Sequence, residues 1–402
     1  MSSYARGHST AWEQRQLGDI AERVARRNSN NECTRVLTAS AESGLVDQQE
    51  YFLKRIASPD LTNYYLLRRG DFAYNHSSSA NAPFGIVRRL DTYDSGCLSS
   101  LYIVFRPFSD VDSDFLLQYF ESSAWHNDVS GMVTEGARNH GLLNISSDAF
   151  FTTHCTSPHI PEQRLIGEFF STLDSLIAAA ERQETLLRQK KQAYLQLIFP
   201  CEGETQPRLR FAGFSGDWEQ RQLGEVAEVI GGGTPDSSNP QYWDGDIDWY
   251  TPSEIGGHRY LDESVRKITH EGLNNSSAKL LPKGSILFTS RASIGLMAFI
   301  RRPSSTNQGF QSLVPSKLVD PDFLFAFGPF ITRYAKTHAA GSTFVEISGK
   351  SLGKTPLALP TIPEQRLIGQ FFKTLDSLIA AAEKRTKHLH ALKGSYLQRM
   401  FV

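Results

Sequence analysis

Residues 160–181 of this chain are IPEQRLIGEFFSTLDSLIAAAE, and almost the same stretch, IPEQRLIGQFFKTLDSLIAAAE, occurs again at residues 362–383. Only Gln370 and Lys373 differ from their counterparts in the first copy. The copies lie 202 residues apart in a chain of 402 residues. Solenoid proteins repeat with periods of roughly 20–50 residues, so this longer period indicates a tandem repeat of whole domains.

The repeated stretches have the pattern of long helices. Pro161 and Pro363 suit the first turn of a helix, where a backbone N–H needs no partner. Apolar residues then recur every seven positions, as in helices that pack against another helix. Each run continues for almost forty residues, which corresponds to about 60 Å of helix. A helix of this length needs a packing partner in water.

We therefore predict that the two long helices pair antiparallel as a coiled coil. The alternative is that each amphipathic helix lies on its own domain. The predicted coiled-coil and partner-binding residues are Phe170, Leu173, Ile177, Leu187, Phe372, Leu375, Ile379 and Leu389.

A second, shorter repeat places the globular regions. The heptapeptide WEQRQLG occurs at residues 12–18 and again at 218–224. Each copy precedes a region with short alternating stretches bounded by Gly and Pro, which predicts a mixed α/β (α+β) domain with many short strands. The predicted organisation has pseudo-two-fold symmetry. Its segments are a flexible tail (1–10), a first domain (11–158), a first long helix (159–200), a linker (201–216), a second domain (217–360) and a second long helix (361–402).

Composition places the protein among ordinary soluble proteins. The formal net charge is −1, so any nucleic-acid contact would depend on local basic faces or a basic partner. The four cysteines are scattered without CxxC spacing, which predicts neither a disulfide framework nor a zinc site and fits a cytoplasmic location. We predict no membrane-spanning segment, because no long apolar run is present.

The sequence lacks a recognisable catalytic motif. Residues 349–351 (GKS) resemble the end of a phosphate-binding loop, but Phe344 stands where that loop requires a glycine. Histidines and carboxylates are not spaced as metal ligands. We therefore predict a non-catalytic protein with no metal site. Binding of S-adenosylmethionine by the isolated chain would favour the alternative, an enzyme.

Polar loops in both globular regions carry residues suited to recognising DNA bases. Arginine can donate two hydrogen bonds to guanine, and Asn or Gln can form two with adenine. The alternative is that these residues form ordinary polar turns between strands. The candidate DNA-binding residues are Asn75, His76, Ser77, Arg138 and Asn139 in the first domain, and Ser290, Arg291, Thr306, Asn307 and Gln308 in the second.

The duplicated helices and paired WEQRQLG segments, with RFAGF (210–214), GDFAYN (70–75) and TNQGF (306–310), form a pattern that resembles the specificity subunit of type I restriction-modification systems. The resemblance covers nearly the full chain. It implies two target recognition domains, at residues 11–158 and 217–360, that recognise the halves of a bipartite, asymmetric site on double-stranded DNA. The helix pair would set the spacing and dock two adenine-N6 methyltransferase subunits.

The resemblance also implies which partners carry the chemistry. S-adenosylmethionine would bind the methyltransferase subunits, while ATP and magnesium would serve the motor and restriction subunits when these are present. This chain itself would hold no cofactor. The competing hypothesis is a coiled-coil scaffold with two adaptor heads that binds proteins and has no role on DNA.

Overall fold

The computed structural model describes residues 12–41, 43–54, 56–133, 141, 143–201, 203–341 and 345–401. The predicted tail at residues 1–10 lies outside them. The chain divides into two compact units. Residues 1–180 with 385–402 form unit 1, and residues 181–384 form unit 2. This division splits each long helix, whereas the predicted domain limits kept each helix whole.

Unit 1 consists of short strands and short helices that precede a long one. Its strands are β1 (Glu13–Gln16), β2 (Ala21–Arg23), β3 (Leu37–Ser40), β4 (Gly44–Asp47), β5 (Tyr65–Arg68), β6 (Phe72–Asn75), β7 (Ile86–Arg89), β8 (Ser95–Leu98), β9 (Ile103–Pro107) and β10 (His154–Ser157). Its helices are α1 (Leu17–Ile20), α2 (Gln48–Phe52), α3 (Ser113–Glu121), α4 (His126–Met132), α5 (Ser147–Phe150) and the first part of α6 (Ile160–Ile198).

The central sheet of unit 1 is antiparallel, with the strand order β2-β9-β6-β7. Phe72 and Phe105 project from neighbouring strands into a core that also holds Phe115 of α3 and Phe170 of α6. Strand β1, from the repeated heptapeptide, pairs antiparallel with β10. Because β10 ends just before α6 begins, this pairing brings the start of the globular region beside its exit.

Unit 2 repeats this plan. Its strands are β11 (Glu219–Gln222), β12 (Ala227–Gly231), β13 (Trp243–Tyr250), β14 (Tyr260–Leu261), β15 (Arg266–Ile268), β16 (Ile286–Phe288), β17 (Met297–Ile300), β18 (Ser304–Thr306), β19 (Gln311–Pro315) and β20 (Pro356–Leu359). Its helices are α7 (Leu223–Val226), α8 (His270–Asn274), α9 (Pro321–Ala326), α10 (Gly328–His338), α11 (Gly349–Leu352) and most of α12 (Ile362–Met400), with 3-10 turns at Pro240–Tyr242 and Pro252–Glu254.

The main sheet of unit 2 has the order β12-β19-β16-β17-β14. Its first four strands match the order of the unit 1 sheet, and β14 adds a fifth strand parallel to β17. Strand β11, from the second heptapeptide copy, pairs with β20, as β1 does with β10. A separate three-stranded sheet, β15-β13-β18, has no counterpart of that size among the described residues of unit 1.

Segments of the two long helices pack against each other within unit 1. The rings of Phe169 and Tyr396 lie 5.0 Å apart, and Lys393 Nζ lies 2.7 Å from an Asp174 carboxylate oxygen. Residue numbers rise along α6 from one contact to the next and fall along α12, so the two segments run antiparallel here.

Unit 2 contains the reciprocal contacts. The rings of Tyr194 and Phe371 lie 5.1 Å apart, and Lys191 Nζ lies 2.6 Å from an Asp376 oxygen. Lys191 and Lys393 occupy equivalent repeat positions, as do Asp174 and Asp376. Each repeat therefore supplies the lysine in one unit and the aspartate in the other.

The predicted helix contact residues are mostly buried. Phe170, Leu173 and Ile177 of α6 belong to buried positions, as do their counterparts in α12, which are Phe372, Leu375 and Ile379. Leu187 and Leu389 are half-buried. No helix in the described ranges is long and apolar enough to cross a membrane.

A buried glutamine from the repeated IPEQ motif fixes the start of each long helix. Gln163 Oε1 accepts a hydrogen bond from Asp112 N at 2.9 Å, and its Nε2 donates to Pro158 O at 2.7 Å. Gln365 repeats the first bond with Asp320 N at 2.8 Å. These bonds satisfy the buried amide and lock the helix to the globular region.

Candidate nucleic-acid interface

Unit 2 contains a cavity of about 720 Å³ beside the end of its central strand. The lining is partly apolar and partly cationic, a combination that can both exclude water and bind an anionic or hydrogen-bonding ligand. The lining residues are Pro252, Arg291, Ala292, Ile294, Asn307, Lys336 and Val345.

The loop that follows β16 forms one wall of the cavity. Thr289 is buried, and its hydroxyl donates to Ser293 O at 2.5 Å and accepts from Leu296 N at 2.9 Å. Ala292 adopts a positive φ of 56° at the tip of the loop. Such a backbone is costly for a residue with a Cβ, and the surrounding bonds hold it in place.

Arg291 is the predicted residue best placed to contact a ligand. It is half-buried and lines the cavity, while its backbone bridges to Glu346. Within the described ranges, its guanidinium has neither a hydrogen-bond nor an ion-pair partner. Its donors are therefore available to a base edge or a phosphate.

Asn307 lines the same cavity, and Gln308 follows it in the chain. Asn307 N donates to Tyr250 O at 3.0 Å, and Asn307 Oδ1 accepts from Gly309 N at 2.8 Å. Gln308 is exposed, and its Oε1 accepts from Thr234 Oγ1 at 2.5 Å. Both amide oxygens are therefore occupied, and neither NH₂ group donates to another of the described residues.

Tyr250 is buried next to Asn307. Burial raises the pKa of its phenol, and the neighbouring Asp248 carboxylate adds to the shift. The phenol therefore stays neutral at physiological pH. Its backbone carbonyl, rather than its side chain, positions Asn307.

Ser290 and Thr306 require a correction to the predicted set of DNA-binding residues. Their exposed fractions are 0% and 1%. Ser290 Oγ donates to Glu346 Oε1 at 3.1 Å, which ties the loop to the segment beside it. Side chains this deeply buried support the loops and present no surface to a ligand in this conformation.

In unit 1 the candidate residues Asn75, His76 and Ser77 lie at the end of β6, the strand equivalent to β16. Asn75 Oδ1 accepts a hydrogen bond from Ser77 N at 3.1 Å, and Ser77 is exposed. The two ring nitrogens of His76 lie 2.6 Å from Leu143 O and Leu101 O. His76 therefore braces three chain segments, while Asn75 and Ser77 shape the exposed turn.

Arg138 and Asn139 lie outside the described residues.

Beneath the turn, Tyr74 Oη donates to Phe84 O at 2.8 Å, and burial raises the pKa of this phenol. Gly85 has a φ of +77°, and a Cβ there would lie 2.3 Å from Asn75 O. Close approach of β7 thus fixes the end of β6.

Sequence reasoning missed Lys336, which lines the cavity from helix α10. The signal available was a cationic pair, Arg333 and Lys336, in a helix without acidic residues. In the described part of the chain, His, Cys, Asp and Glu residues form no cluster of three or more that could hold a metal ion.

The two units thus place chemically different loops at the ends of equivalent strands, β6 in unit 1 and β16 in unit 2. Residues 215–391 match a family model described as the type I restriction modification DNA specificity domain. The match lies in unit 2 and the second long helix and covers less than half of the 402 residues.

Similarity to individual relatives is partial. The type I restriction enzyme MjaIX specificity subunit of Methanocaldococcus jannaschii is 32% identical over 190 residues, covering 46% of this chain and 44% of the relative. The EcoR124I/EcoR124II specificity subunit of Escherichia coli is 28% identical over 282 residues, covering 66% and 65%. The matches therefore span about half to two thirds of these relatives.

Solved structures share the fold over almost the whole chain. The S subunit of a type I restriction-modification system from M. genitalium has a TM-score of 0.62 at 14% identity and covers 98% of this chain and 97% of its own. A chain from a study of complex assembly and conformational transition of the type I R-M system has a TM-score of 0.55 at 18% identity, with 97% of both chains covered.

Proposed function

We propose that this chain is the DNA-recognition subunit of a type I restriction-modification complex. Units 1 and 2 would each recognise one half of a bipartite, asymmetric site on double-stranded DNA. The observation that carries the proposal is the contrast between near-identical long helices and divergent loops at equivalent strand ends. Residues 75–79 (NHSSS) begin at the last residue of β6, whereas residues 289–293 (TSRAS) follow β16.

The difference between the loop after β6 and the loop after β16 makes the proposed DNA site asymmetric. The turn after β6 offers an amide, a hydroxyl and a braced imidazole, whereas the loop after β16 offers a guanidinium beside a cavity. Arginine favours guanine, and amides favour adenine. Two different loops would therefore select two different half-site sequences.

The long helices would act as a spacer between the half-sites. We propose that α6 and α12 form a continuous antiparallel coiled coil, supported by the antiparallel packing seen inside each unit. Each helix has 39 residues, or about 60 Å. At about 3.4 Å per base pair, such a rod would separate the half-sites by a helical turn or more.

The same helices would dock two adenine-N6 methyltransferase subunits. Leu165, Phe169 and Leu176 of α6 project exposed apolar surface, and Leu367 and Leu378 repeat two of these positions in α12. Exposed apolar patches on a soluble protein commonly mark interaction sites. Duplication of the patch supports two copies of the same partner.

In this proposal the chain itself performs no catalysis. S-adenosylmethionine would be bound by the methyltransferase subunits, and ATP with magnesium by restriction and motor subunits when these join. The complex would act on DNA in the cytoplasm.

Methylome sequencing tests the proposal. Cells expressing this chain with its methyltransferase should acquire N6-methyladenine in one motif that has two different half-sequences and a fixed spacer. Cells with the methyltransferase alone are the control. A continuous or palindromic motif, or no motif that depends on this chain, would contradict the proposal.

A further inference from the structure

The second half of helix α10 presents two exposed cations next to the cavity of unit 2. Arg333 and Lys336 are three residues apart, so they share one face of the helix. Lys336 lines the cavity together with Arg291 and Asn307. Helix α10 contains no aspartate or glutamate.

These two cations lack the counter-charge that some surface cations of unit 2 have. Arg301, for example, lies 3.0 Å from an Asp262 oxygen. Neither Arg333 nor Lys336 has an ion-pair partner in the part of the chain that the structure describes. The nearby Glu346 carboxylate accepts a hydrogen bond from Ser290. Clustered cations without partners create a positive potential that attracts polyanions.

Local packing restrains part of this surface. The Arg333 guanidinium lies 5.8 Å from the centre of the Phe330 ring. Lys336 lies in the last turn of the helix, where the helix dipole favours positive charge. Restraint of this kind lowers the entropy lost when a side chain binds a phosphate. The result is a cationic face beside donors that suit base edges.

We propose that Arg333 and Lys336 contact backbone phosphates of the DNA flanking the second half-site. This inference rests on the proposed function and deepens it. The DNA backbone crosses the second half of α10, while Arg291 and Asn307 face base edges from the cavity. Phosphate contacts of this type set position and orientation without selecting a sequence.

The equivalent helix of unit 1 lacks this face. Helix α4 follows α3 as α10 follows α9, and its sequence, HNDVSGM, contains neither lysine nor arginine. Its Asp128 lies 2.9 Å from the His154 ring. The contacts proposed for α10 therefore have no counterpart on helix α4 of unit 1.

Salt titration of DNA binding tests the inference. The full chain is assembled with its methyltransferase, and affinity is measured by fluorescence anisotropy on a cognate duplex and on one with a scrambled second half-site. Arg333→Ala and Lys336→Ala should each lower the slope of log affinity against log salt by about 0.9. Over a fourfold rise in salt, each variant should lose about 3.5-fold less affinity than wild type.

Both substitutions should weaken binding to the two duplexes by similar factors. Lys336→Arg should keep the wild-type slope, and Arg301→Ala serves as the matched control that leaves it unchanged. Melting curves confirm that each variant is folded.

Unchanged slopes in both alanine variants would overturn the inference, and so would a loss confined to the cognate duplex, which would indicate base contacts. Neither result would contradict the proposed function. Failure of the wild-type complex to distinguish the two duplexes would instead contradict the proposed function itself.

Discussion

Asp71 is a fully buried carboxylate of unit 1 that is held between two arginines. Its oxygens lie 2.6 Å from both Arg26 and Arg106. Asp71→Ala would leave two cations without their shared counter-charge, so we expect a loss of about 3 kcal/mol in the free energy of unfolding. Asp94→Ala is the matched control, because Asp94 is 95% exposed and its bond to Arg69 should contribute less than about 1 kcal/mol.

Urea denaturation of the two variants measures this difference. Equal stability losses for Asp71→Ala and Asp94→Ala would show that the buried pair adds nothing beyond a surface one.

Arg291 is the residue for which base recognition can be tested most directly. Arg291→Ala should weaken binding by about 1–3 kcal/mol, and only where the second half-site is intact, because the lost contact is to a base edge. Arg291→Lys keeps the charge and removes the forked donor pair. It should therefore retain binding but lose discrimination at one base position.

Competition with single-base variants of the second half-site is the measurement. An alanine variant weakened equally on every duplex would mark Arg291 as a phosphate contact.

At the residue scale, the sequence predicts which chemical groups a loop contains better than it predicts which of them are exposed. Arg291 and Gln308 present donors to solvent or the cavity, whereas Ser290 and Thr306, which belong to the same predicted set, are buried. Alternation along an extended chain decides which neighbour faces inward, and irregular loops obscure that alternation. Lys336 was missed because tertiary packing brings α10 beside a loop 45 residues earlier in the sequence.

At the scale of elements, the long helices depend on a close approach to the globular region. Gly167 of α6 has no room for a side chain, since a Cβ there would lie 2.7 Å from Asp112 Oδ1 and 3.0 Å from Phe115 N. Gly167→Ala should therefore destabilise unit 1 by about 1–3 kcal/mol. Gly394 of α12 has open space around it, so Gly394→Ala should stabilise the helix by about 0.5–1 kcal/mol.

Thermal unfolding of both variants gives the comparison. The change in the free energy of unfolding should be negative for Gly167→Ala and positive for Gly394→Ala, although both glycines lie in long helices. A stabilising effect at both positions would mean that helix propensity outweighs the contact at Gly167.

The long helices could be predicted almost to the residue, because a seven-residue apolar period leaves few alternatives. The predicted limits of 159–200 and 361–402 compare with Ile160–Ile198 and Ile362–Met400. The lysine at position 191 interrupts the apolar stripe, and the structure gives it Asp376 as a partner. Strands of three to five residues carry too little periodicity for their pairing to be deduced, so the sheet orders could not be predicted.

At the scale of the whole molecule, duplication gives each long helix its own copy of the proposed docking patch. Leu165, Phe169 and Leu176 fall on one side of α6, and Leu367 and Leu378 lie at matching positions of α12. A charged side chain in the middle of such a patch would be desolvated by a bound partner, which is unfavourable. One substitution should therefore disable one site and spare the other.

Leu176→Arg should reduce the bound methyltransferase from two copies to one, and Leu176→Arg with Leu378→Arg should abolish binding. Light scattering after gel filtration measures the mass of each complex directly. Ala178→Arg is the matched control, since Ala178 is exposed on the other side of α6 and should leave two copies bound. Loss of both copies from the single variant would indicate that the partners bind cooperatively rather than at two independent patches.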